Sequence, residues 1–329
     1  METIRSGATT SPDKAIFTTT DWSLLAIISL IWGSAFLSTA IALEGFSAEA
    51  VAFLRIALGA AGLALIPSAR RRIDREDWLK LLVVAIAGNA GPALLFATAI
   101  KTVDSAVAGM SISAVPLVSL FIWILINRSL PARIQLLGLI VGFAGVALVA
   151  TPHLIGSEAA PLGIGLLALG TLGYAVTQNV IGPLQRKYGS TPVIFWALMI
   201  GSVFLMPLGA TGLHDSNLDA RTIVAIVILG VIATGFARSF AAVLTGRIGA
   251  VRGAVHGYFI PVLAVAFGVL LLGEKVTTIE LAGLLIALAG GYLVTRENVP
   301  KVPYILGLAY KLDRGLQAVH RLRKGFLAS

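Results

Sequence analysis

The sequence predicts an all-α membrane protein of ten transmembrane helices, arranged as two inverted five-helix repeats with both termini in the cytoplasm. Three observations carry that prediction. First, 57% of the residues are hydrophobic and 12% charged, with a mean hydropathy of +0.92, which leaves far too little polar surface for a soluble chain of 329 residues. Second, apolar runs of about twenty residues recur from end to end, each long enough to cross roughly 30 Å of hydrocarbon as a helix. Third, the chain matches itself. Residues 104–151, shifted by 145 positions, fall on 249–296 without a gap: Pro116 on Pro261, Gly138 on Gly283, Gly145 on Gly290 and Leu148-Val149 on Leu293-Val294. Such self-similarity marks an internal duplication.

Residues 1–20 are Ser/Thr-rich and read as a mobile lead-in. The first span runs from about Trp22 to Leu43. Ala40-Ile41-Ala42 near its end imitates a signal-peptidase site, but the run is longer than a signal segment and belongs to a series. The second, about Ser47 to Pro67, has Ser47 as its expected N-cap and Glu49 in its first turn. The third, about Trp78 to Ile100, carries Gly88-Asn89-Ala90-Gly91-Pro92. Proline removes a ladder donor and clashes with the preceding turn, so the helix should bend or break there. The fourth, about Ser105 to Ile126, contains Pro116, and the fifth, about Ala132 to Thr151, contains Gly138, Gly142 and Gly145. A polar linker, 152–160, separates the first repeat, 21–151, from the second, 161–296. Spans six to ten fall at about 161–185, 191–210, 220–245, 251–272 and 277–295.

The positive residues test this count independently, because Lys and Arg in short loops are retained in the cytoplasm. With the N-terminus inside, only Lys101, Arg221 and Lys275 lie outside, Arg55 and Arg238 lie within spans, and every other Lys and Arg is cytoplasmic. The net charge of +9 therefore follows membrane topology rather than a nucleic-acid surface. Five spans per half is an odd number, so the second copy enters the membrane upside down. Inverted repeats of this kind are a recurring plan of secondary transporters, with a site near the midplane between the halves. The tail, 297–329, repeats Ile305, Leu308, Leu312, Leu316, Val319 and Leu322 at helical spacing among Lys311, Arg314, Arg321, Arg323 and Lys324. It is expected to form a cytoplasmic helix lying on anionic lipid.

Enzyme chemistry is not apparent. There are no cysteines, which excludes disulfides, thiolate metal sites and cysteine nucleophiles. The four histidines lie in separate segments, so no metal site or triad suggests itself, and the glycines form no phosphate loop. No cofactor is expected. The stripes Gly138-x-x-x-Gly142 with Gly145, and Gly283-x-x-x-Ala287 with Gly290, let helices approach closely. We read them as packing within each half, with homodimerisation as the alternative to a monomer.

Polar residues inside the spans are the better clue, because each is costly in hydrocarbon and must face protein or a water-filled cavity. Asn89 beside Gly91-Pro92 combines a polar side chain with a broken helix that frees backbone groups for a substrate. Trp32, Ser111, Ser113, Tyr174, Gln178, His256 and Tyr258 complete the candidate substrate-binding set. In the repeat, Ser111 and Ser113 correspond to His256 and Tyr258, and these differences are expected to serve the cargo. Arg55 lies near the midplane and is read as bonding carbonyls exposed by a neighbouring break, with attraction of a substrate carboxylate as the alternative. Arg238 is read as snorkelling toward the cytoplasmic interface. No Asp or Glu lies centrally to form a proton relay with His256, so facilitated diffusion stays open.

Together, the ten-span plan, Trp32-Gly33-Ser34, Phe53-Leu54-Arg55, the prolines at 116 and 261, and Gly273-Glu274-Lys275 before a glycine-rich last span resemble the EamA family of the drug/metabolite transporter superfamily. The first repeat departs from it by reading Arg128-Ser129 where the second reads Gly273-Glu274. The resemblance implies an inner-membrane exporter of amino acids or similar small metabolites. It also implies a central cavity lined by the first, third, fourth, sixth, eighth and ninth spans, around which the halves rock. Alternatives are drug or cation efflux by the same fold, or a scaffold or lipid-binding protein without transport.

Overall fold

The computed structural model describes residues 17–103, 105–128, 133–154, 161–213, 219–263 and 277–295. All regular structure among them is helical. Seven helices are long and apolar enough to cross a membrane: Thr19–Leu43, Arg75–Ala99, Val107–Asn127, Pro161–Tyr188, Ser190–Gly212, Ala220–Ile248 and Thr278–Thr295, with Arg133–Val149 a shorter apolar one. Their outward faces carry bare hydrophobics such as Leu79, Leu162 and Val203, at 74%, 71% and 64% exposure. A surface of that kind is stable against hydrocarbon and not against water. The chain is a multi-pass membrane protein. The expected tail helix, the residues 273–275 and most of the linker and lead-in lie outside the described residues.

Helix α1 (Thr19–Leu43) starts at a capping box in which Asp21 N–H donates to the Thr18 hydroxyl and Thr18 N–H to the Asp21 carboxylate. Helix α2 (Ala48–Ala64) is capped by Ser47, whose hydroxyl accepts from Ala50 N–H at 3.1 Å. It ends earlier than expected, at a short 3₁₀ turn, Pro67–Arg70. Helix α3 is continuous through the expected break: Trp78–Ala85 passes through a π turn, Ile86–Ala90, into Gly91–Ala99. The wider turn admits the proline near the start of the following segment, so one bulge replaces an interruption. Helix α4 changes pitch in the same way around Pro116, from Ser105–Ser111 through a 3₁₀ turn, Ile112–Ala114, to Val115–Asn127.

Helices α5 (Arg133–Leu154), α6 (Pro161–Tyr188) and α7 (Ser190–Gly212) follow. Helix α8 holds a second π turn: Ala220–Val227, Ile228–Phe236, Ala237–Ile248. Nothing in the sequence analysis predicted it. A turn, Ala250–Gly253, leads to α9, described over 256–263, and α10 is Thr278–Thr295.

The glycine stripes do not pack within each half of the sequence, as expected, but across the two. Helix α5 meets α10 backbone to backbone: a Cβ added at Gly145 would stand 2.2 Å from Ala287 N, and one at Gly290 2.1 Å from Gly142 N. Helix α2 meets α8 similarly, with Gly59 against Gly230 and Gly235. Removing the side chain at these positions lets two backbones touch, where hydrocarbon offers no hydrophobic drive and packing must supply the adhesion.

Candidate functional site

The π turn of α3 borders an interior cavity of about 100 Å³, and α8 reaches the same cavity just beyond its own π turn, with Arg238. It is lined by Trp32, Phe36 and Thr39 of α1, Arg55 of α2, Gly88, Asn89 and Phe96 of α3, and Ile112 and Val115 of α4. Tyr174, Thr177 and Gln178 of α6, Ile194 of α7, Arg238 and Thr245 of α8, and His256 and Ile260 of α9 complete most of the wall. Among the described residues, none of α5 or α10 is in it, whereas α2 and α7 contribute one residue each beyond the expected set.

A π turn displaces the hydrogen-bond ladder and leaves carbonyls for side chains to satisfy. In α3, Asn89 Nδ2 donates to the Val84 carbonyl at 2.7 Å, and Arg238 Nη1 donates to the Gly88 carbonyl at 2.8 Å. Pro92 has no N–H to offer that carbonyl from four residues on. In α8, the Thr234 hydroxyl donates to the Leu229 carbonyl at 2.8 Å, and Trp32 Nε1 donates to the Ala233 carbonyl at 2.8 Å. The repeat offset of 145 carries Gly88 and Asn89 onto Ala233 and Thr234. Equivalent carbonyls in the two turns thus receive donors from the cavity wall.

The cavity's cations are held by neutral groups. Arg238 Nη2 donates to the Tyr174 hydroxyl at 3.1 Å, and its guanidinium carbon lies 5.1 Å from the Tyr174 ring centroid and 6.0 Å from that of Trp32. Arg238 therefore points into the cavity and does not snorkel to the interface. Its reach is explained by the Gly88 carbonyl, an acceptor strong enough to hold it inside. Arg55 is buried, and its Nε donates to the Thr234 hydroxyl at 3.2 Å, a side chain of the α8 turn rather than an exposed carbonyl. His256 packs edge-on to Trp32, with ring centroids 4.8 Å apart, and neither of its ring nitrogens has a hydrogen-bond partner among the described residues.

Of the sequence-predicted site residues, Trp32, Asn89, Tyr174, Gln178 and His256 come together around the cavity. Gln178 accepts from the Thr245 hydroxyl there at 3.0 Å. Ser111, Ser113 and Tyr258 are not brought to it. The Ser111 hydroxyl donates within its own helix to the Ala108 carbonyl, Ser113 donates to the Gly257 carbonyl, and the Tyr258 hydroxyl donates to the Leu139 carbonyl. Tyr258 is fully buried, its ring against Gly142 where any side chain would collide. These hydroxyls join helices to one another, so of the repeat differences expected to serve the cargo only His256 reaches the cavity. Sequence reasoning missed Arg238 and Thr177. The repeat offset held a usable signal, since laying Asn89 on Thr234 would have placed a second polar turn four residues before Arg238.

A helical membrane protein with an interior cavity that carries polar side chains in a mostly apolar wall, formed by helices from both halves of its sequence, has the build of a small-molecule carrier. The model of the EamA-like transporter family matches the chain twice, over residues 21–151 and 161–296, and the chain belongs to that family. An "uncharacterized transporter" of Archaeoglobus fulgidus is 28% identical over 277 residues, spanning 84% of this chain and 99% of its own. A "probable terminal-alkyne amino-acid exporter" of Streptantibioticus cattleyicolor is 24% identical over 287 residues, covering 84% and 94%. An "uncharacterized inner membrane transporter", YicL, of Salmonella typhimurium is 24% identical over 285 residues. A solved crystal structure shares the fold with a TM-score of 0.66 at 14% identity, over 84% of this chain and 97% of that one.

Proposed function

We propose that this protein is a secondary transporter, exporting amino acids or similar small metabolites across the inner membrane by alternating access. The observation that carries the reading is the cavity itself: donors from its wall, Arg238 and Trp32, hold carbonyls of both π turns, so substrate binding and backbone geometry share the same groups. The ten-span inverted arrangement with cytoplasmic termini is supported by the charge separation, by the two stretches that match the family model, and by π turns one repeat offset apart. Under that arrangement Arg238 and Arg55 each tie one half to the other, and rocking the halves remakes these ties. The amino-acid cargo and the outward direction rest on the exporter among the relatives. A solid, glycine-packed interior would favour a scaffold, and the cavity weighs against it. Flux through purified protein in liposomes, tried against a panel of amino acids and carboxylic acids with and without a pH gradient, tests the reading. At least one compound should move faster than through protein-free vesicles, and no flux for any compound would overturn transport.

A further inference from the structure

The cavity's permanent charges are of one sign. Arg55 and Arg238 line it, and among the described residues no Asp or Glu does. Asp21 and Asp77, both buried, are occupied at the helix starts, Asp21 by Arg247 and Asp77 by Lys80 and Lys187. A guanidinium at membrane depth ordinarily carries a counter-charge or faces water. Here each is positioned by dipoles that leave its charge uncompensated: a threonine hydroxyl for Arg55, and a carbonyl, a phenol and two aromatic faces for Arg238. Arg238 Nη1 and Nη2 are anchored on Gly88 and Tyr174, and its buried Nε has no hydrogen-bond partner among the described residues, so no carboxylate among them answers its charge.

We propose, building on the transporter reading, that the cavity binds a small organic anion, its carboxylate toward the Arg55 and Arg238 guanidiniums and its body against the rings of Trp32, Phe96 and Tyr174. The same field selects against cations and disfavours zwitterions. An ammonium group would meet two guanidiniums and only neutral acceptors, among them Asn89 Oδ1, the Thr177 hydroxyl and the His256 ring, which are buried and without a hydrogen-bond partner among the described residues. The space, about 100 Å³, is in keeping with a small cargo. Within the class of small metabolites, this points to carboxylic acids and to amino acids whose nitrogen is blocked or whose net charge is negative, ahead of ordinary zwitterionic amino acids.

A set of three compounds that share a ring and differ in charge tests this: phenylacetate, phenylglycine and benzylamine. Purified full-length protein is assayed for binding by ligand-dependent melting, which rises with affinity for the folded state, and for flux in liposomes corrected with protein-free vesicles. Phenylacetate is expected to bind at least about tenfold more tightly than phenylglycine, a difference of about 1.4 kcal/mol, and benzylamine to give no shift. Arg238→Gln should remove the phenylacetate preference. Asn89→Asp, nearly isosteric, should weaken it by setting one carboxylate against the two guanidiniums, with phenylacetate losing affinity. That loss keeps the test decisive even where Arg238→Gln fails to fold. Phenylacetate binding no better than phenylglycine, or an undiminished preference in Asn89→Asp, overturns the proposal. Flux led by phenylglycine or benzylamine also overturns it while leaving transport intact. Binding in the expected order without flux of any compound keeps the anion site and counts against transport instead.

Discussion

The two π turns occupy equivalent places under the repeat offset, yet one is internally satisfied and the other is open. In α8, Thr234 both donates to Leu229 and accepts from Arg55, so its hydroxyl is fully engaged. In α3, Asn89 donates to Val84, but its Oδ1 has no partner among the described residues, and the neighbouring Thr177 hydroxyl has none either. The same backbone device thus serves as a structural knot behind Arg55 in one helix and as an incomplete polar site on the cavity wall in the other. A buried polar atom without a partner costs stability, and such a cost persists where a ligand is to supply the missing group.

Substitutions at the two turns should therefore separate stability from transport. A large stability effect is expected from Thr234→Val, which leaves a buried guanidinium N–H without its acceptor. It should cost about 2 kcal/mol, from loss of a hydrogen bond to a charged group, read as a lower melting temperature of the purified protein. Asn89→Ala removes one neutral bond and should cost only about 1 kcal/mol while lowering flux by about tenfold. If Thr234→Val spares stability and abolishes flux, or Asn89→Ala does the reverse, the distinction between the turns is wrong.

Gly88→Ala comes next. Its Cβ would stand 2.5 Å from the Thr177 hydroxyl oxygen, an overlap expected to cost about 1–3 kcal/mol, and the added change Thr177→Ala should recover most of it in a double-mutant cycle. Pro92→Ala should be milder still. It supplies an N–H four residues beyond the Gly88 carbonyl that can compete with Arg238, so flux should change severalfold with little change in melting; equal losses in both would mean that the proline acts only as a packing residue.

Smallest of all is the effect at the start of α3, where Lys187 pairs with the exposed Asp74 and Glu76 and with the buried Asp77. The Lys187 ammonium beside Asp74 holds that carboxyl below its usual range, aided by the Tyr188 hydroxyl. A depressed carboxylate contributes stability above its ordinary titration range and loses it as pH falls through the folded value. Lys187→Gln should therefore erase a small acid-side decline in melting temperature. The difference should fade in high salt, since exposed pairs are screened.

How far the sequence revealed these features follows from what each depends on. The membrane class and the Ser47 cap rest on local composition and one side chain, and both were legible. The disturbance at 88–92 was legible because proline announces it, although a bulge rather than a break absorbs it. The α8 turn carries no proline and stayed hidden. Arg238 was misjudged because its depth in the span suggests an exit to the interface. What keeps it inside is the Gly88 carbonyl, 150 positions away in sequence, which becomes available only once α3 has bulged. Ser113 and Tyr258 looked like site residues for the converse reason. A hydroxyl at membrane depth must pair somewhere, and only the neighbouring helix decides whether that partner is cargo or the Gly257 and Leu139 carbonyls.

The contact between α5 and α10 has a further property. Gly138 lies against the Gly290 carbonyl, and Gly145 against that of Gly283. Since the offset of 145 carries Gly138 onto Gly283 and Gly145 onto Gly290, exchanging the two helices maps the first contact onto the second. That is the reciprocity of an isologous interface, familiar from twofold dimers, here closed inside a single polypeptide. Each half already carries both faces of the joint, so a half expressed alone would hold the complete set of glycines needed to clasp a second copy of itself.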